Sequence, residues 1–147
     1  DGRARSDFAA QLEQLGLGQD VVRLLGFLPY AEALELVAQA DVGIIPHLAN
    51  ESWNTTIPNK LFDYMAAGLC VITSDARPAR RVVEEERAGH AFASGNVDSL
   101  VEVMSRLWSA QDAAEYGQRG QAAIRSRYHW EIDERRLLDV FAGLADR

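Results

Sequence analysis

The chain has 147 residues, of which 48% are hydrophobic and 25% charged, and its net charge is −7. That balance describes one globular domain over residues 1–147, gives no basis for a disordered segment, and argues against nucleic acid or anionic lipid as partners, because an acidic surface repels both. A single cysteine, Cys70, excludes an internal disulfide and points to a reducing compartment, and neither an 18-residue apolar run nor a signal peptide is present.

The chain opens on Asp1-Gly2 without a methionine, which suggests a clipped or partial product; the dipeptide reads as the end of a loop from a missing strand into a helix. Up to Leu17, the residues Phe8, Leu12 and Leu15 recur at helical spacing, and Gly16 stops the helix. Val21 to Leu25 is a short β-branched and apolar run ended by Gly26, which predicts a strand. Phe27-Leu28-Pro29 turns into a helix from about Tyr30 to Gln39, and Val42-Gly43-Ile44-Ile45 predicts a second buried strand stopped by Pro46.

From His47 to Ile57 the chain is polar and irregular. It is the longest loop in the sequence, and long loops in compact domains tend to carry function. Trp53 is suited either to stack on a ligand or to cap the core. His47 has no partner at metal-ligand spacing and reads as a loop hydrogen-bonder.

A proline, nine good helix formers and a glycine then mark a helix from Pro58 to Ala67 with both ends signposted. With Pro58 at its first position, the amides of Asn59, Lys60 and Leu61 lack intrahelical partners and point outward with the positive end of the macrodipole. Such an end takes anions. Lys60 adds a cation in the same turn, and Asp63 lies three residues on along one face. A diphosphate wants N–H donors and ribose hydroxyls want an ionised acceptor, so the pattern suits a nucleotide or nucleotide-sugar. A capped helix with a solvated i,i+3 pair would present the same local pattern.

Leu69 to Thr73 predicts a third strand, Pro78 to Glu86 a charged helix and Gly89 to Phe92 a last short strand. Arg77, Arg80 and Arg81 are followed by Glu84, Glu85 and Glu86, which reads as a solvated helix face rather than a basic patch. Asn96 caps a helix whose Val97, Leu100, Val101, Met104, Leu107 and Trp108 fit the 3.6-residue period. Residues 112–127 present a small-residue face of Ala113, Gly117, Gly120 and Ile124, and residues 130–145 form the terminal helix. Strands separated by helices imply an α/β, Rossmann-like parallel sheet, with ligands beyond the carboxyl ends of its strands. A phosphoacceptor domain is disfavoured because Val42 to Pro46 ends without acidic residues.

The run Pro58-Asn59-Lys60-Leu61-Phe62-Asp63-Tyr64-Met65-Ala66-Ala67-Gly68, followed by a strand and Ser74-Asp75, resembles the donor-binding segment of retaining GT-B glycosyltransferases of group 1, the family 4 type. The resemblance covers essentially the whole chain, and Tyr128-His129-Trp130 is similar to the aromatic start of the last helix in that family. It implies the C-terminal half of a GT-B fold without its first strand, which binds a nucleotide-sugar for hexosyl transfer to a glycan, lipid or small molecule.

By that likeness Asn59 and Lys60 hold the diphosphate, with Pro58 and Leu61 counted in the same donor site, Asp63 holds the ribose, Phe27 and Leu28 lie against the base, and Thr55 and Thr56 face the sugar. The family pattern has a glutamate at the position of Thr55, so the chain departs from it there, as members with Pro-Asn-Lys often do. No metal or other cofactor is implied, and no catalytic base or nucleophile is assignable. The acceptor site is expected in an N-terminal domain outside this chain, which leaves the fragment inactive alone. The expected location is cytoplasmic, with peripheral membrane docking through the other half. A non-catalytic nucleotide-binding module and a GT-B-like nucleotide-sugar epimerase are the alternatives.

Overall fold

A computed structural model describes residues 4–145. The reading of Asp1-Gly2 as a loop end lies outside them. Where the composition suggests one domain, the backbone gathers into two compact units, Asp1–Glu35 and Leu36–Arg147.

In the N-terminal unit, helix α1 (Arg5–Gln14) buries Leu12 and ends before Gly16, whose φ of +67° is the left-handed stop expected of a glycine. The strand predicted over Val21 to Leu25 does not form. The amides of Val21 and Val22 both turn back onto the Gly18 carbonyl, at 3.0 and 2.9 Å, and an Arg5 N–H donates to the Leu24 carbonyl at 3.3 Å. These bonds occupy groups that a ladder would need, and Val21 and Leu25 stay exposed. The run was apolar enough for a strand, but pairing, not composition, makes one. Helix α2 (Tyr30–Val37) follows.

The second unit holds a parallel sheet of β1 (Val42–Ile45), β2 (Cys70–Ser74) and β3 (Gly89–Phe92), in that order. Val42 faces Cys70 in the first ladder, and Val71 faces Gly89 in the second. Central strand β2 is buried at every residue, as parallel strands covered on both faces must be. Its alternate side chains split the core. Val71 joins Ile45, Leu61, Met65, Val82 and Val83 on one face, while Cys70 and Ile72 join Phe92, Val103 and Leu107 on the other.

Helix α3 (Asn59–Ala67) ends as the sequence indicates, with Gly68 at φ +83°. Its strand-side neighbour corrects the predicted strand start by one residue. The Leu69 amide donates to the Tyr64 carbonyl at 3.0 Å in a Schellman-type ending, so pairing begins at Cys70. Helix α4 (Arg77–Glu85) carries the i,i+4 pairs Arg80–Glu84 and Arg81–Glu85 on exposed side chains, which makes that cluster the solvated face expected.

Helix α5 (Val97–Ala110) is capped by the Asn96 carboxamide, which accepts from the Ser99 amide at 3.0 Å. Its buried face is turned from the predicted one. Val103 and Leu107 are buried, whereas Val97, Val101, Met104 and Trp108 are exposed, Trp108 at 85%. A 3.6-residue period admitted two overlapping stripes, and the fold uses the one containing Val103. Helix α6 (Ala113–Arg127) buries Gly117 and Gly120, and α7 (Trp130–Ala145) leaves Leu137, Leu138, Phe141 and Leu144 exposed. Among the described residues no helix is long and apolar enough to cross a membrane.

Two outcomes follow from this packing. A Cβ at Gly117 would overlap the Gly68 carbonyl oxygen, whereas one at Gly120 would sit 3.4 Å from Met65. Gly117→Ala should therefore lower unfolding free energy by about 1–3 kcal/mol, and Gly120→Ala should change it by less than about 1 kcal/mol, as read from urea denaturation. Burial pushes the Cys70 thiol up to about 12, helped by Asp112 and opposed by Arg119. At pH 8 the thiol should resist iodoacetamide in the folded protein and react when urea unfolds it; equal labelling rates in both states would contradict the buried placement.

Candidate functional site

In a parallel sheet each crossover helix starts where its strand ends, so the carboxyl ends of β1 and β2 share one rim with the N-termini of α3 and α4. Polar side chains lace the segments that leave this rim. The Ala49 amide donates to Ser94 Oγ at 2.7 Å, and the Ser94 amide donates to Asp75 Oδ1 at 3.0 Å. The Arg77 amide, first in α4, donates to Asn54 Oδ1 at 3.0 Å, so the long loop caps the next helix. Within the loop, the Trp53 amide donates to Asn50 Oδ1 at 3.0 Å and the Asn54 amide to the Asn50 carbonyl at 2.9 Å.

The start of α3 differs from the sequence expectation in one respect. Pro58 is not the first helical residue but the residue before it, with φ −71° and ψ 132°. Its carbonyl therefore takes the first intrahelical bond, and the Leu61 amide donates to it at 3.0 Å. That removes Leu61 from the set of outward donors, and its side chain is wholly buried in the core. Asn59 and Lys60 supply the first two amides of the helix, for which no carbonyl exists one turn back, and both residues are exposed. Asp63 follows within the next turn and is half-buried.

Of the 15 Lys and Arg residues, Lys60 is the one lysine. A cation in the first turn opposes the helix dipole, which costs about 0.3–1 kcal/mol where it is exposed. A compact ammonium in the same turn as two outward N–H groups is the kind of arrangement that suits an anion.

Trp53 does not join either core cluster. Its ring stacks on His47, with centroids 3.6 Å apart and planes 19° from parallel. His47 thus engages the loop by stacking and not by the hydrogen bond expected of it. Burial, and then the charge of Lys60, hold its imidazole below the ordinary histidine range. Tyr64 is shifted upward, first by burial and then by Asp63.

Thr55 and Thr56 are exposed, and both hydroxyls donate to the Ser52 carbonyl, at 2.9 and 3.0 Å. Phe27 and Leu28 belong to the N-terminal unit, where Phe27 is 85% exposed and Leu28 half-buried. A cleft of about 710 Å³ in that unit is lined by Leu12, Leu17, Val22 and Leu24 and includes neither of them. The structure thus brings Thr55, Thr56, Pro58, Asn59, Lys60 and Asp63 into one stretch of the second unit.

Sequence reasoning missed Asn54, Asp75 and Ser94, the residues that lace the rim. For Asp75 and Ser94 a signal existed, because each is a short polar residue placed just after a strand, where such side chains bond backbone amides, whereas Asn54 lies inside the long loop. Among the described residues no group of three or more His, Cys, Asp or Glu could hold a metal ion.

Comparison with known proteins places this geometry in context. Residues 1–110 match the family described as glycosyl transferases group 1. The chain is 27% identical over 144 residues to the amylovoran biosynthesis glycosyltransferase AmsK of Erwinia amylovora, an alignment covering 95% of this chain and 35% of that protein. It is 28% identical over 142 residues to a phosphatidyl-myo-inositol mannosyltransferase of Mycobacterium leprae, covering 96% and 37%. The chain therefore spans about a third of the length of the curated relatives it matches.

Among solved structures, sucrose-phosphate synthase of Thermosynechococcus elongatus superposes with a TM-score of 0.81 at 18% identity, covering 99% of this chain and 35% of the other. Anabaena HepE in complex with UDP gives 0.80 at 21% identity, covering 94% and 36%. At these identities the likeness concerns the fold, which is that of GT-B glycosyltransferases. The chain belongs to the glycosyl transferases group 1 family.

Proposed function

We propose that this chain is the nucleotide-sugar-binding part of a glycosyltransferase that moves a hexosyl group to a glycan, lipid or small-molecule acceptor. The observation that carries the reading is the start of α3, where the chain's one lysine stands beside two outward amides and Asp63 follows one turn later. Asn59 and Lys60 would hold the diphosphate, and Asp63 would accept from the ribose hydroxyls. The reading is supported by the names of the relatives, a glycosyltransferase and mannosyltransferases, and by the UDP bound in the structurally similar HepE. The acceptor would be bound by a further domain of the longer polypeptide. The setting would be cytoplasmic, with any membrane docking borne by that domain.

On this reading the residues act by electrostatics. Breaking the glycosidic bond leaves negative charge on the departing diphosphate, and fixed N–H groups with an ammonium beside them stabilise that charge without reorganising. No step in this scheme calls on a metal or other cofactor.

Thr55 favours a second reading. A neutral hydroxyl committed to the Ser52 carbonyl stands where the family pattern has a carboxylate, which suits a module that binds nucleotide without transfer. Turnover of a nucleotide-sugar by the full-length protein would exclude it, and release of nucleotide without any acceptor would point to an epimerase.

Calorimetric titration of UDP, GDP and ADP into the full-length protein tests the main reading. One nucleotide should bind selectively, and Asp63→Ala should weaken it roughly tenfold to a hundredfold, the worth of about 1.5–3 kcal/mol for bonds to a charged acceptor. Equal affinity in the variant would remove Asp63 from the site. Lys60→Ala separates function from structure by sign. It should leave stability unchanged or raise it by up to about 1 kcal/mol, by relieving the helix dipole, while weakening nucleotide binding. A variant that loses stability and keeps its affinity would mark Lys60 as structural.

A further inference from the structure

The proposal concerns His47, the first loop residue but one after β1, which neither the sequence pattern nor the relatives assign a role. Its ring is fixed in place by Trp53, stacked 3.6 Å away, in a loop that Asn54 and Ser94 tie to the rim. His47 follows the carboxyl end of β1, against which α3 packs with Tyr64 on Gly43, and the charge of Lys60 at the start of α3 acts on its ring. That lysine is also the cation assigned to the diphosphate, and the inference rests on that assignment.

We propose that His47 is a proton-linked second cation of the diphosphate site: it takes up a proton from solvent as the nucleotide-sugar binds beside Lys60. In the free protein the imidazole is partly withdrawn from water and lies in the field of Lys60, and both influences favour its neutral form. A diphosphate carries two negative charges. Placed on the α3 amides and the Lys60 ammonium, it reverses the net field at the ring from positive to negative, and the imidazolium becomes the favoured form. Stacking keeps the ring from turning away, and the face of an indole is itself favourable to a cation.

Linkage sets the sign. A group that binds its proton more tightly in the complex than in the free protein makes binding tighter as pH falls through the bound-state value. The gain levels off below the free-state value, and above the bound-state value affinity is independent of pH. Each unit of separation between the two values corresponds to about tenfold in affinity.

The test is calorimetric titration of UDP-glucose and of GDP-mannose into the full-length protein at pH 6, 7 and 8. Each pH is run in two buffers of different ionisation enthalpy, and neither ligand has an ionisable phosphate proton in that range. Binding should tighten about tenfold from pH 8 to pH 6, with uptake of up to one proton per site. In His47→Gln both the uptake and the pH dependence should vanish, whereas His47→Lys should bind at all three values about as tightly as the parent does at pH 6. Because the chain has three histidines, comparing ring C–H spectra of the parent and of His47→Gln identifies the His47 resonance, whose titration midpoint should rise when ligand is added. Binding without proton uptake, or uptake that survives in His47→Gln, overturns the proposal and leaves the nucleotide assignment standing. Failure of either ligand to bind at any pH overturns both.

Discussion

The second unit depends on β2 having no free side. Its edges are paired to β1 and β3 in parallel, and its faces are covered by two clusters of side chains divided at Val71 and Ile72. Parallel neighbours cannot be joined by tight turns, so the chain must leave each strand at the same end and return through a helix. That requirement alone sets the starts of α3 and α4 on one rim. The positive ends of two helices and the loops that feed them are brought together by the demand for burial, before any residue is chosen for chemistry.

What selects between these two helix starts is the loop of residues 46–58. At α4 the loop supplies a cap, since Asn54 accepts from the Arg77 amide and satisfies the helix end from within the protein. At α3 no side-chain cap is present, and Pro58 contributes only its carbonyl to Leu61. One start is therefore filled by the protein itself, and the other keeps its first amides outward beside Lys60. Rigidity at the site comes from the same loop. The side chains of Asn50, Asn54 and Ser94 and one stacked ring pair hold it, so the rim is held by directional bonds where the core beneath is held by close packing, as at Gly117 against Gly68.

The features legible in the sequence were those with a local physical cause. Pro58 and Gly68 bracket α3 because one lacks an N–H and the other reaches positive φ. Asn96 caps α5 because its side chain reaches the Ser99 amide. The features that were not legible depend on partners. Val21 to Leu25 has strand composition, but its amides and a carbonyl are spent on Gly18 and Arg5. In α5 both stripes satisfied the helical period, and only the position of β3 and Phe92 decides that Val103 goes inward while Trp108 stays out. At the candidate site the error was a single residue, Pro58 before the helix and not in it, yet it decides whether Leu61 has an amide to offer.

Lys60 carries the clearest conflict between local and overall preference. The chain is acidic by seven charges and uses arginine for every other cation outside histidine. Arginine is the better choice for a surface pair, because its planar fork can meet a carboxylate along two bonds, and Arg80 pairs with Glu84 through Nε at 2.8 Å. A first-turn position asks instead for an acidic residue. A lysine there satisfies neither preference, a local violation in an otherwise consistent fold that the proposed diphosphate role would account for. The acidic background sharpens the point. Across a surface of net negative charge an anion is repelled, and it gains only where a cation and fixed amides lie within a Debye length, about 8 Å at physiological salt. Two outward amides and one ammonium at the start of α3 meet that condition, and neutral hydroxyls at Thr55 and Thr56 on the approach add no repulsion of their own.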